Sequence, residues 1–403
     1  MVKQDNCLVL PFIDMTEFDK IIERKGTFCT QWDFVEDRFG QKDLLPFTIS
    51  DTDFAIPETV NQALQKRIQH PIYGYTRWNH KHFKSAVSAW YQKQFDFAIE
   101  EDWILYSPSV IYSLSQLIEI KSQPQEGVVV QTPAYDAFFK TITANNRLCV
   151  ENPLIFNEGK YTIDFIDLEE KLAHPNNKIL LFCSPHNPTG RVWTSEELQQ
   201  VVLLCQKYDV FLISDEIHMD VLRKDKQHHP ILQYGTENIA LLTSASKTFN
   251  FPGLIFSYLL IPNENLREEF CQHLKEKDGL SSCSILGMEA TISAYQTSDI
   301  WLEELKNYLD DTVDFTRTFL KEYLPKIKLI ESEATYLLWL DVSEQGVPMD
   351  KLQQALINIG KVAIMDGEVY GQEGRNFLRL NIGCSRAKVK DGLERLLKSI
   401  QAL

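Results

Sequence analysis

From residue 103 to residue 261, short and almost wholly apolar runs alternate with longer amphipathic stretches, and no other feature limits the fold as strongly. Residues 103–106, 127–131, 178–183, 210–214, 239–243 and 257–261 lack an inside–outside alternation, so they read as strands buried on both faces. Between them, 110–121 and 135–145 have helical spacing. Thr194, with Glu197 three residues on, forms the capping box of a helix running to Tyr208. Strand–turn–helix units of this kind build an α/β protein with a mainly parallel sheet covered on both faces. Ligands of such sheets bind where the strands end.

Upstream, 17–24 reads as a short helix, Pro57 and Glu58 open a helix to about Gln69, and 81–94 is amphipathic. Downstream, a long helical pattern at 301–324 leads to strands at 335–341 and 377–382 and a closing helix at 389–402. A chain of 403 residues is too long for one ordinary core. The expected division is a large domain, 51–298, and a smaller α+β domain, 299–403, with residues 1–50 packing on the small one.

Charge narrows the function classes. Lys plus Arg number 41 against 56 Asp plus Glu, a net charge of −15, which argues against nucleic acid or an anionic membrane as a partner. The eight cysteines have no C-x-x-C spacing, so neither a disulfide framework nor a zinc site is suggested. Cys183 and Cys205 sit in apolar runs, as small buried hydrophobes do. The stretch from Cys7 to Ile13 is short and broken by Pro11, unlike a signal peptide, and no apolar run approaches a membrane span. A cytoplasmic protein is the expectation.

The residues at the strand ends are chemically selective. Ser109, Val110 and Ile111 turn into a helix after one strand, Tyr135 follows Thr132-Pro133-Ala134 after another, and Asn187 lies in the loop after a third. Asp215, with His218 beyond it, comes directly after 210–214, and Lys247 stands between Ser244, Ser246 and Thr248 just past 239–243. Taken singly, Asp215 reads as readily as a helix cap, and Lys247 as a loop lysine beside a serine cap. Taken together, they meet the needs of a phosphorylated pyridine aldehyde. A carboxylate keeps the ring nitrogen protonated, a lysine carries the aldehyde as a Schiff base, and a helix N-terminus with hydroxyls holds the phosphate. Tyr135 is the candidate aromatic to stack on the ring. Pyridoxal 5'-phosphate is therefore the cofactor to test for.

Three motifs, Ser184-Pro185-His186-Asn187-Pro188-Thr189-Gly190, Ser214-Asp215-Glu216-Ile217-His218 and Ser244-Ala245-Ser246-Lys247-Thr248-Phe249-Asn250, resemble those of the fold-type I, class I/II aminotransferase superfamily. The D-E-I-H and S-x-S-K-T-F-N forms are similar, more narrowly, to the MalY/PatB-type cystathionine β-lyases. The resemblance runs from Phe18 to the C-terminus and includes Asp51-Thr52-Asp53-Phe54, Tyr73-Gly74-Tyr75-Thr76 and Phe377-Leu378-Arg379-Leu380-Asn381. It implies Lys247 as the aldehyde-bearing lysine, Asp215 as partner of the ring nitrogen, and Asn187 and His218 at the ring hydroxyl. It also implies Tyr135 stacked on the ring, Arg379 on the substrate α-carboxylate, and Tyr75 reaching the phosphate of a neighbouring subunit in a homodimer. Three departures stand out. Ser109 replaces a glycine before the phosphate helix, Asp366-Gly367 replaces Pro-Gly, and Ile255 stands where aspartate aminotransferases have an arginine.

The reaction implied is α,β-elimination from an amino acid with a sulfur leaving group, giving a thiol, pyruvate and ammonia. Released Lys247 would remove the Cα proton, and burial beside a cationic ring favours the neutral amine that a base must be. L-Cystathionine or another cysteine S-conjugate as substrate follows from the resemblance alone. An aminotransferase using the same site is the alternative, and a regulatory module retaining the fold a more distant one. Elsewhere, His80, His82, His228 and His229 read as solvated loop residues rather than metal ligands, and Trp78 and Trp90 as packing. Asp51 and Asp53 read equally as pocket edge and as turn residues.

Overall fold

The computed structural model describes residues 17–403, so Cys7 to Ile13 and the first part of the segment 1–50 lie outside the described residues. A seven-stranded sheet is built in the order Ile104–Ser107, Ser257–Leu260, Ile239–Thr243, Phe211–Asp215, Asn177–Cys183, Gly127–Thr132, Leu148–Pro153. All run the same way except Ser257–Leu260, which is antiparallel to both neighbours. Helices on both faces explain the continuous apolar runs, since every residue of Phe211–Asp215 and of Ile239–Thr243 is buried. Side chains such as Leu212, Ile213, Leu241 and Leu242 are 0% exposed, each contributing about 1.5–3 kcal/mol by leaving water.

The helices start where the sequence provides caps. Ser109 Oγ accepts from Tyr112 N at 3.0 Å and opens Val110–Lys121. Thr194 Oγ1 accepts from Glu197 N at 3.3 Å while Glu197 Oε2 accepts from Thr194 N at 2.8 Å, completing the expected box before Ser195–Lys207. Such caps stabilise a helix by about 1 kcal/mol.

A second sheet has the order Leu45–Phe47, Val362–Asp366, Phe377–Asn381, Leu337–Asp341, Lys328–Leu329. Its first strand comes from far upstream and pairs parallel to Val362–Asp366. The remaining pairs are antiparallel. Helices Asp299–Tyr323 and Arg386–Gln401 share its core through Leu305, Leu309, Leu393 and Leu396. Phe47 lies under Gly392, where an added Cβ would come 2.3 Å from the ring, so the helix can approach this closely only with glycine there.

One expectation needs correction, and two strands come in addition. The segment 17–24 forms only the 3₁₀ turn Glu17–Asp19, burying Phe18 alone, because Arg24 is instead drawn to Asp51 and Asp53. The strands Leu148–Pro153 and Val362–Asp366 were not anticipated: the first is a largely unburied edge, and the second is a five-residue run just past a left-handed Lys361. Among the described residues, no helix is long and apolar enough to cross a membrane.

Candidate active site

Over the strand ends opens a cavity of about 440 Å³ whose walls carry Ser109, Val110, Ile111, Tyr135, Asn187, Asp215, His218, Ser244, Ser246 and Lys247. Ser50, Tyr135, Lys247 and Pro252 are shared with an outer cavity of about 910 Å³, which Arg379 also lines. The fold thus gathers the strand-end candidates and Arg379 into one continuous space.

Lys247 is held from several sides. Thr248 Oγ1 donates to Asp220 at 2.8 Å, and Asp220 also accepts from Trp90 Nε1 at 3.0 Å, tying the loop after Ile239–Thr243 to the large core. Asn250, at φ 59°, donates to Thr52 O and Phe54 O and accepts from Thr52 N at 3.0 Å. That clip brings Ser50 within reach, and Lys247 Nζ donates to its carbonyl at 2.6 Å. Tyr336 Oη donates to the same oxygen at 3.1 Å. Burial, helped by the Arg379 charge, lowers the amine to about 8 against the opposing pull of Asp51 and Asp215.

Asp215 is the last residue of its strand rather than the first beyond it. Burial raises its carboxyl to about 7, although Ile217 N, donating to Oδ1 at 3.1 Å, and the Lys247 charge work against the rise. His218 is driven down to about 3 by burial and by the Lys247 and Arg379 cations, so its ring is neutral, and its buried Nδ1 has no hydrogen-bond partner. Arg379 donates through Nη1 to Asn187 Oδ1 at 3.1 Å and through Nη2 to Thr48 O at 2.7 Å. Its Nε is buried without a partner, and the guanidinium lies 4.7 Å over the Tyr370 ring. Ser244 Oγ lies 2.7 Å from Phe256 O and 2.9 Å from Ser246 Oγ, which fixes both hydroxyls in the cavity that the Val110–Lys121 N-terminus also lines.

One candidate is not brought in. Tyr75 is 100% exposed on this chain and lines neither cavity. His228 is not a solvated loop residue: it is 1% exposed, with Nε2 2.7 Å from Glu216 and its ring edge-on to Phe95, because the loop carrying it packs against the end of the central strand. His80 caps a helix through Nδ1, and Trp78 and Trp90 are buried in the core. Asp51 and Asp53 do edge the outer cavity, where both pair with Arg24. No group of three or more His, Cys, Asp or Glu with metal-site geometry occurs among the described residues. Sequence reasoning passed over Ser50, Tyr336, Tyr370 and Arg24. Tyr370 had a signal, since it closes the turn begun by Asp366-Gly367, whereas Ser50 acts through a carbonyl that no side chain announces.

The mixed sheet, the fastened lysine over its strand ends and the second sheet carrying Arg379 together define the fold-type I, aminotransferase-like class. The chain belongs to the aminotransferase class I and II family, whose model matches residues 42–396. Among its relatives, Protein MalY of Escherichia coli (strain K12) is 44% identical over 96% of this chain and 100% of its own length. Cystathionine beta-lyase PatB of Bacillus subtilis (strain 168) is 38% identical over 94% of this chain and 98% of its own. The crystal structure of the PLP-bound C-S lyase from Staphylococcus hominis is similar at a TM-score of 0.90 and 31% identity, covering 96% of this chain and 98% of that one.

Proposed function

We propose that the protein is a pyridoxal-phosphate-dependent C–S lyase of the cystathionine β-lyase type. It splits L-cystathionine or related cysteine S-conjugates by α,β-elimination into a thiol, pyruvate and ammonia. One observation carries the reading: a lysine amine lowered to about 8 stands between a cavity holding a strand-end carboxylate and an adjoining one holding a half-satisfied arginine. The relative PatB is a cystathionine beta-lyase and the similar Staphylococcus hominis C-S lyase is PLP-bound, and both support this reading.

The residues fit the cofactor. The unpartnered His218 Nδ1 and the first N–H groups of Val110–Lys121 are polar groups in want of a ligand. Asp215 would hold the ring nitrogen, and a cation there favours its ionised form against the burial that raises it. Ser109, Val110, Ile111, Ser244 and Ser246 would hold the phosphate, Tyr135 would stack on the ring, and Asn187 and His218 would meet its hydroxyl. When bound, the cofactor supplies an aldehyde for amines and a protonated ring that withdraws electrons from the substrate.

The chain's own residues then do the rest. Arg379 would orient the substrate by its α-carboxylate, using donors that Asn187 and Thr48 leave free. Lys247, neutral in substantial part near its lowered value, would take the Cα proton. Ser50 O, itself held by Tyr336, would keep the amine over the site once the substrate has released it. Tyr75, exposed here, would serve the phosphate of a second subunit in a homodimer. We take residues 51–298 as the large unit and 299–403 with 1–50 as the small one; the pairing of Leu45–Phe47 with Val362–Asp366 supports this division. A cytoplasmic location is part of the same reading.

The test is direct. Purified protein should be yellow, lose the colour in Lys247→Ala, and release pyruvate from L-cystathionine without any added keto acid. Absence of pyruvate, with amino-group transfer to a keto acid instead, would mean an aminotransferase.

A further inference from the structure

Around the outer cavity the positive charges are unequally occupied. Arg24 is held by Asp51 at 2.7 Å and Asp53 at 2.8 Å, and Lys140 by Asp136 at 2.6 Å. Arg38, on the helix Val35–Phe39, is different. Its Nη1 lies 3.3 Å from Met365 Sδ, and it makes no ion pair among the described residues.

That sulfur fixes where the guanidinium is. Met365 faces Arg379 across an antiparallel strand pair, and residues directly opposite each other project to the same side of a sheet. Arg38 therefore reaches the strand neighbour of Arg379, and both line the same cavity, Arg379 buried and Arg38 exposed at the rim. Burial raises the Tyr135 and Tyr370 hydroxyls, and the charges of Arg38 and Arg379 both work against that rise, as expected of two cations near the same hydroxyls. A guanidinium exposed at the rim of the α-carboxylate site, with no ion pair among the described residues, is available for a second anion on the substrate.

We propose that Arg38 binds a carboxylate carried by the leaving thiol, so that the site prefers thioethers with an acid group on both arms over S-alkyl cysteines. The proposal rests on the lyase reading and narrows its substrate class. With L-cystathionine, Arg379 takes the carboxylate next to the bond-breaking carbon, and Arg38 takes the one at the far end of the thioether.

Pyruvate release would be measured from L-cystathionine and from S-ethyl-L-cysteine, whose leaving group has no charge, using cofactor-loaded wild type, Arg38→Ala and Arg38→Lys. Arg38→Ala is expected to lower kcat/KM for L-cystathionine about 10- to 100-fold, mainly through KM, as loss of a charge-assisted contact does. For S-ethyl-L-cysteine the change should stay within about twofold, and Arg38→Lys should recover part of the lost discrimination. An equal loss on both substrates, or none on either, overturns the subsite while leaving the lyase intact. If the wild type releases pyruvate from neither thioether, the lyase reading fails and the subsite falls with it.

Discussion

Arg191 and Arg379 are buried to almost the same degree, 4% and 3% exposed, yet their surroundings are opposite in character. Every N–H of Arg191 is used. Nε donates to Tyr161 O, Nη1 to Val192 O and Glu333, and Nη2 to both oxygens of Glu197. Glu333 is equally occupied, accepting from Val192 N at 2.8 Å and Lys226 Nζ at 2.7 Å. Arg379 has two neutral oxygens, no carboxylate, and an idle Nε. An unmet buried donor costs about 1–3 kcal/mol, so the fold tolerates at Arg379 what it avoids at Arg191. The difference separates a cation that fastens the chain from one kept for a ligand.

The widest separation of function from stability is expected at Lys247. Lys247→Ala should cut the rate of pyruvate release by about 10⁴-fold or more, because anchor and base vanish together. The cofactor-free variant should nevertheless melt no lower than the cofactor-free wild type at neutral pH. The sign follows from the lowered value: between about 8 and the ordinary 10.5, the unfolded lysine binds a proton that the folded one does not, so stability rises with pH across that window. Below it, the wild type bears the full cost of a buried cation, which alanine removes. A large fall in melting temperature would place Lys247 with Arg191.

Arg379→Ala should lower kcat/KM by about 10²- to 10³-fold with little loss of stability, whereas Arg191→Ala should lose about 3–5 kcal/mol by stranding Glu333 and Glu197. Steady-state kinetics and urea unfolding of the pair would reverse the comparison if Arg191→Ala proved stable and inactive. Cofactor-free protein should take up pyridoxal phosphate at a rate that climbs with pH and levels off above about 8, since only neutral amine attacks an aldehyde. The smallest effect concerns the neutral histidines. His186 and His218 are held near 3, while an unfolded histidine titrates near 6.5, so stability should fall as pH drops from 6.5 towards 3. His186→Asn should flatten that fall in acid melting curves.

What could be read from the sequence followed from burial. Strands covered on both faces write themselves as unbroken apolar runs, so Ile239–Thr243 was visible to the residue and Phe211–Asp215 to within one. The edge strand Leu148–Pro153, half in solvent, left no such trace. Lys247, Asp215 and Asn187 could be picked out because a charged or amide side chain just past an apolar strand is chemically conspicuous. Ser50 could not be placed, for it reaches the site through a backbone contact across 197 residues, whereas Tyr370 was marked only by the turn that Asp366-Gly367 begins. His228 was misjudged because a polar loop in sequence gave no hint of the buried Glu216 that receives it.

The loop bearing Ser50 has a consequence for how the protein is made. Its backbone is fastened by Asn381, which donates to Ile49 O at 2.6 Å and Asp51 O at 2.7 Å, and its oxygen receives Tyr336. Chains emerge from the ribosome N-terminus first, so the large sheet can be complete while these clasps are still unsynthesised. The reactive amine is therefore set in its resting place only when synthesis is nearly over, and a prematurely terminated chain would carry the lysine without the seat that positions it.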